Sequence, residues 1–127
     1  MEGKAFFLDS YAIYEITAGN PNYRKYAQGI RAITTRLNLM EIYYAHLRKG
    51  ARYADDAYER FLGICSDFSD TEIKEAMKIK AKLKSENSKS NISCIDALGY
   101  TIALNRKLLF LTGDREFRGM VNVEFVE

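Results

Sequence analysis

Short apolar runs alternate with longer segments of helical period along this chain. Residues 5–8, Ala-Phe-Phe-Leu, are continuously apolar and predict a strand buried on both faces. Further short strands are expected over residues 32–35, 64–68, 108–111 and 121–126, the last with an alternating pattern. Between them the chain reads as helix. Asp9 or Ser10 caps a segment over 11–17, Gly19-Asn20-Pro21-Asn22 is a turn, and residues 23–29 form a further helical stretch. Asn38 is placed to cap a helix running to Leu47, where Lys49-Gly50 supplies a basic last turn and a glycine stop. Tyr53, Ala57 and Phe61 share one face of a helix over 51–62. Residues 71–84 follow the caps Ser69 or Asp70, with Ile73, Met77, Ile79, Ala81 and Leu83 as apolar positions. After a polar connector over 85–91, Ser93 caps a last helix to Leu104. Strands separated by helices predict an α/β fold, a parallel sheet covered on both faces.

Composition limits what this fold can be. The 127 residues suit one domain, residues 1–127, with 47% hydrophobic and 28% charged positions. A net charge of +2 gives no global attraction to nucleic acid, so such binding would need local asymmetry. Cys65 and Cys94 lack zinc-ligand spacing and read as small buried hydrophobes. The apolar stretch in residues 1–8 stops at Asp9, too early for a signal peptide, and no run approaches a membrane span. A soluble, cytoplasmic protein with no membrane association is expected.

Against that background, Asp9, Glu41, Asp96 and Asp114 acquire meaning. Asp9 and Asp114 directly follow predicted strands, and Glu41 and Asp96 fall in predicted first turns of helices. Sites in open α/β sheets lie outside the carboxyl ends of the strands, so all four are expected at one edge. Converging carboxylates repel one another and call for a divalent cation. Each also has a structural reading. Asn38-Leu39-Met40-Glu41 and Ser93-Cys94-Ile95-Asp96 match capping boxes, Asp9 can cap the helix after it, and Asp114 can open an Asx turn.

The local sequences carry a resemblance. Leu8-Asp9-Ser10, Leu39-Met40-Glu41, Ile95-Asp96-Ala97-Leu98 and Leu111-Thr112-Gly113-Asp114 with Phe117 resemble, in order, the PIN-domain nucleases, in the branch containing VapC-type toxins. The resemblance implies a three-layer α/β/α sandwich with a mostly parallel central sheet. It also implies Mg²⁺- or Mn²⁺-dependent endoribonuclease activity, with Asp9, Glu41, Asp96 and Asp114 as catalytic metal ligands. Ser10 and Thr112 match hydroxyl positions that would orient those carboxylates. Glu116 is a candidate extra acid, and Arg115 and Arg118 are candidates for phosphate contact. RNA would be the substrate, an antitoxin protein a partner, and a homodimer the assembly. Residues 51–68 show little that aligns with the family, so the resemblance assigns no helper groups or partner surfaces there.

Oxygen ligands suit Mg²⁺ or Mn²⁺, and the absence of clustered histidines and cysteines argues against zinc. His46, the single histidine, is expected on the surface near a helix C-terminus, beside Arg48 and Lys49. Lys74, Lys78 and Lys82 share a helix face that reads as solvated rather than as an RNA track. The nine tyrosines read mainly as half-buried core residues. Competing functions are a housekeeping RNA-processing nuclease of the same fold and a non-catalytic PIN-like module binding RNA or protein. A phospho-receiver domain would need an acidic pair after the first strand, which Asp9-Ser10 does not supply.

Overall fold

The computed structural model describes residues 3–127; Met1 and Glu2, which open the apolar N-terminal stretch, lie outside the described residues. The elements run β1 (Ala5–Leu8), α1 (Ser10–Ala18), β2 (Arg31–Ile33), α2 (Arg36–His46), α3 (Ala51–Leu62), α4 (Asp70–Glu86), α5 (Cys94–Asn105), β3 (Leu109–Thr112) and β4 (Val123–Phe125). All strand pairs are parallel, in the order β2-β1-β3-β4. This is the PIN-like α/β/α arrangement that the strand–helix alternation and the resemblance predict.

Period-2 alternation in β1 divides the core. Phe6 and Leu8 point to one face with Leu111, where α1, α2 and α3 contribute Ile13, Leu39 and Phe61. Phe7 points to the other face with Phe110, under Ala76 of α4 and Ala97, Leu98 and Ile102 of α5. Every residue of β1 from Phe6 to Leu8 is therefore buried, which is why its sequence is uninterrupted by polar residues. Gly99 lets α5 approach: a Cβ there would stand 2.6 Å from the Phe7 ring.

Several expectations are corrected. Residues 64–68 form no strand; Cys65 makes only an isolated parallel bridge with Thr34. Residues 21–26 are a 3₁₀ helix opened by Pro21 rather than part of a longer helical stretch over 23–29. The helix α2 starts at Arg36, capped by Thr35 through the Asn38 backbone N–H at 3.3 Å, so Asn38 lies inside it. Cys94 is exposed and Cys65 half-buried, because each sits where an element meets solvent. In α4 the helix lies on Ala76, with Glu72 buried against Arg106 at 3.0 Å, and leaves Ile73 exposed. Lys74, Lys78 and Lys82 are exposed, as the solvated reading has it. Among the described residues no helix is long and apolar enough to cross a membrane.

Candidate active site

Parallel strands bring their carboxyl ends together, and two of the acids follow from that directly. Asp9 leaves β1 and caps α1, its Oδ1 accepting the Ala12 N–H at 2.7 Å. Asp114 follows β3 by one residue and caps a 3₁₀ turn (Arg115–Phe117), accepting the Glu116 N–H at 3.0 Å. Between them stands Thr112, the last residue of β3. Its hydroxyl oxygen accepts the Asp114 N–H at 3.0 Å, and the hydroxyl also opposes the rise of the Asp9 carboxyl's pKa. Asp96 belongs to a complete capping box with Ser93: the Ser93 hydroxyl accepts the Asp96 N–H at 3.0 Å, and Oδ2 accepts the Ser93 N–H at 3.4 Å.

Glu41 departs from its expected position. Because α2 begins at Arg36, Glu41 lies in the second turn and caps nothing. It is held instead by a side-chain relay. The Thr35 hydroxyl donates to Asn38 Oδ1 at 2.6 Å, Asn38 Nδ2 donates to Ser10 Oγ at 3.1 Å, and Ser10 Oγ donates to Glu41 Oε1 at 2.5 Å. The capping explanation thus survives for three acids and fails for the fourth. Asn38 is the residue that sequence reasoning missed. A polar residue placed 1% exposed inside a helix is the signal, but burial is not visible in sequence.

All four carboxylates line one open cleft of about 290 Å³, together with Ser10, Tyr11, Tyr14 and Ala45. No Lys or Arg forms an ion pair with any of them among the described residues. Burial pushes the Asp9 carboxyl up to about 8, over the opposing bonds from Thr112 and Ala12, and the charges of Asp96 and Asp114 push the same way. Asp96 is also raised, first by burial and then by Glu41 and Asp114, against its Ser93 bonds. Among the described residues no three acidic, histidine or cysteine side chains close into a ready-made ion cage. Three of the carboxylates turn one oxygen onto a cap. The donor set is nonetheless all oxygen, one member is 2% exposed, and no protein cation compensates it. Those properties fit a hard divalent ion, held by the carboxylate oxygens not engaged in capping.

Three further candidates do not line this cleft. Glu116 accepts the Asn91 backbone N–H at 2.8 Å. Arg115 pairs with Glu127 at 3.1 Å, and the Arg118 guanidinium lies 5.6 Å from the Phe125 ring centroid.

His46 overturns its surface assignment, being fully buried. Its ring stacks on Tyr14 at 4.9 Å and meets the edge of Tyr53 at 4.9 Å, because α1 and α3 close over the end of α2. Thr17 Oγ1 donates to the Tyr14 carbonyl at 2.9 Å, so it accepts from His46 Nε2–H at 2.7 Å. That leaves Nδ1 as a buried lone pair without a partner. Burial, then Lys49 and Arg48, lowers the His46 pKa. The unfolded chain takes up this proton near pH 6.5 and the folded one only below that, so stability present at neutral pH is lost as acidity increases. The melting temperature of wild type should therefore fall relative to His46→Phe between pH 7 and pH 5, with a limiting slope of about 1.4 kcal/mol per pH unit. A pH-independent gap between the two melting curves would contradict this.

The PIN domain family model matches residues 6–122. No curated protein sequence matches the chain. Among solved structures, VapBC2 from Rickettsia felis bound to a promoter DNA fragment superposes with a TM-score of 0.72 at 17% identity, over 97% of this chain and 99% of that one. Mycobacterium tuberculosis VapC20, a Sarcin-Ricin loop cleaving toxin, gives 0.72 at 16% identity over 93% and 98%. A toxin–antitoxin complex from Klebsiella pneumoniae gives 0.71 at 14% identity over 93% and 94%. At these identities the likeness is one of fold, whereas the family model spans most of the chain from Phe6 to Asn122 and takes in all four acids. The chain belongs to the PIN domain family.

Proposed function

We propose that this protein is a Mg²⁺- or Mn²⁺-dependent endoribonuclease, the toxin of a toxin–antitoxin pair. The observation that carries the reading is the cleft itself: four carboxylates from the ends of β1 and β3, from α2 and from the first turn of α5, one deeply buried, with no basic partner among the described residues. In this reading Asp9 and Asp96 are the central ligands, with Asp114 and Glu41 closing the set. A bound divalent cation supplies Lewis acidity to the scissile phosphate and makes water a competent nucleophile at neutral pH.

The chain's own groups do the positioning. Thr112 holds the Asp114 backbone at the end of β3, and the relay through Asn38 and Ser10 aims Glu41 into the cleft. No serine, cysteine or histidine nucleophile is required. His46 is walled off from the cleft behind Tyr14 and supplies no base.

The toxin role rests on the family and on folds like those of the VapC and toxin–antitoxin structures. An exposed apolar stripe supports a protein partner: Met40, Tyr44 and Leu47 of α2 and its end are 55%, 81% and 42% exposed at i, i+4, i+7 spacing. An antitoxin segment is the occupant proposed for it. A second copy of the chain is proposed for the apolar depression formed by Leu37, Phe68, Ile73 and Met77.

Purified protein should cut single-stranded RNA in Mg²⁺ or Mn²⁺, leaving 5′-phosphate ends, and should stop in EDTA. Asp96→Asn should reduce the cleavage rate at least a hundredfold while keeping the fold, since an asparagine oxygen can still accept the Ser93 N–H. Wild-type protein that binds RNA yet cuts none with either ion would instead be a non-catalytic binding module. Growth arrest on expression, relieved by the product of an adjacent small gene, would separate toxin from housekeeping nuclease.

A further inference from the structure

A cleft walled by four carboxylates repels a polyanion, so a strand that enters it needs positive charge nearby. The arginines closest in sequence to the acids do not offer it freely, since Arg115 is paired with Glu127 and Arg118 covers Phe125. The opposite end of the cleft is different. Its walls are one face of α1, bearing Ser10 and Tyr14, and one face of α2, bearing Glu41 and Ala45, each at i, i+4 spacing. The same stripe of α2 continued by a turn reaches Arg48 and Lys49. Arg48 Nη2 donates to the Tyr14 hydroxyl at 3.0 Å. Lys49 Nζ stands 5.9 Å from the Tyr14 ring centroid and 5.1 Å from that of Tyr53.

Both cations are exposed, and neither has a carboxylate partner among the described residues. The platform beneath them is stiff, because Tyr14 is stacked on buried His46 at 4.9 Å and 23°. Unpaired charge held on a rigid aromatic floor suits an anion arriving from solvent. Seven residues of helix set it about 11 Å from Glu41, within reach of phosphates neighbouring the one at the acids.

We propose that Arg48 and Lys49, seated on Tyr14, form a phosphate-binding subsite that holds the single-stranded RNA backbone beside the cleavage site and sets the direction in which the strand leaves the acids. This rests on the polynucleotide reading above. Phosphodiester is favoured over an acidic peptide because an ammonium over the Tyr14 and Tyr53 rings beside a guanidinium held at the Tyr14 hydroxyl sets two adjacent cations against a repeating phosphate chain.

The test is fluorescence anisotropy with a labelled single-stranded RNA of about 12 nucleotides, in EDTA so that nothing is cut, across a salt series. Replacing both residues, Arg48→Gln with Lys49→Gln, should weaken binding about tenfold near 0.1 M salt and lower the slope of log K against log salt by about 1.4. A charge-matched pair on α4, Lys78→Gln with Lys82→Gln, should leave the slope at the wild-type value. In Mg²⁺, the first pair should raise KM and spare kcat. Equal slopes for wild type and the first pair, or an equal loss from the α4 pair, would overturn the subsite. So would an oligoglutamate peptide that binds wild type, fails to bind the first pair, and leaves RNA affinity unaffected. Wild type that cuts RNA but ignores both pairs defeats only the subsite; wild type that neither binds nor cuts RNA defeats the nuclease reading with it.

Discussion

Asp9→Asn is expected to melt at a higher temperature than wild type at pH 8 in EDTA, while losing at least a hundredfold in metal-dependent cleavage. Burial raises the folded Asp9 carboxyl to about 8 from 3.8. Between those values the folded chain binds a proton that the unfolded chain has released, so metal-free stability falls as pH rises from 4 to 8. Linkage sets the penalty at pH 8 at no more than about 5 kcal/mol. Asparagine removes the charge and retains an oxygen for the Ala12 N–H, but it adds an amide that must find an acceptor near Thr112. A net gain of about 2 kcal/mol, roughly 6 °C, is expected at pH 8. It should shrink steadily as pH is lowered toward 4. Mg²⁺ should reverse the order, stabilising wild type, increasingly so as pH approaches 8 and the ion no longer has to displace a proton. Differential scanning fluorimetry over pH, with and without the ion, reads both effects. A variant less stable than wild type at every pH would make Asp9 a simple cap rather than an ion site held at a cost.

Gly113→Ala is the second large effect, and it is steric. An added Cβ would sit 2.2 Å from Tyr11 Cε1 and 2.4 Å from the Val126 carbonyl oxygen. The aromatic ring has some freedom. The carbonyl has little, since Val126 N–H donates to Thr112 O at 2.9 Å and its oxygen receives the Tyr23 hydroxyl. The clash therefore pushes on the end of β4 and on Tyr11, a wall of the cleft. A loss of about 3 kcal/mol, or roughly 10 °C in melting temperature, is expected. Cleavage should fall even below the melting range, because Thr112 and Asp114 flank the displaced backbone. Serine should be no better than alanine. A stable, fully active Gly113→Ala protein would mean that the contact relaxes without moving the strand end.

These effects trace to different kinds of information. The run Ala5-Phe6-Phe7-Leu8 predicts a two-face buried strand because its side chains alternate and none is polar, and β1 has those bounds. Ser93 and Asp96 declared their capping box through a local spacing, as did Asp9 its cap and Asp114 its turn. The placement of acids at strand ends, and the likeness of the segments around them to PIN domains, were likewise readable from order along the chain. Interactions that span at most a few residues are written in neighbouring letters, and these were.

Other features depend on partners far away in sequence. Thr35 rather than Asn38 caps α2, since Asn38 turns its amide inward to Ser10, 28 residues earlier, and that single shift moves Glu41 out of the first turn. His46 is buried because α1 and α3 close over it, although its own neighbours Arg48 and Lys49 are exposed. Residues 64–68 have strand-like composition, yet only Thr34 pairs with them, so no ladder forms. By itself the sequence determined the strand–helix alternation, the caps at Asp9, Ser69 and Ser93, and that Asp9 and Asp114 stand at strand ends. Tertiary packing alone decided that Glu41 has no capping duty, that Asp9 is buried and raised to about 8, and that Arg48 and Lys49 stand beside Tyr14 with no carboxylate partner among the described residues. Burial and charge compensation are sums over neighbours in space, and they exist only once the sheet has brought its strand ends together.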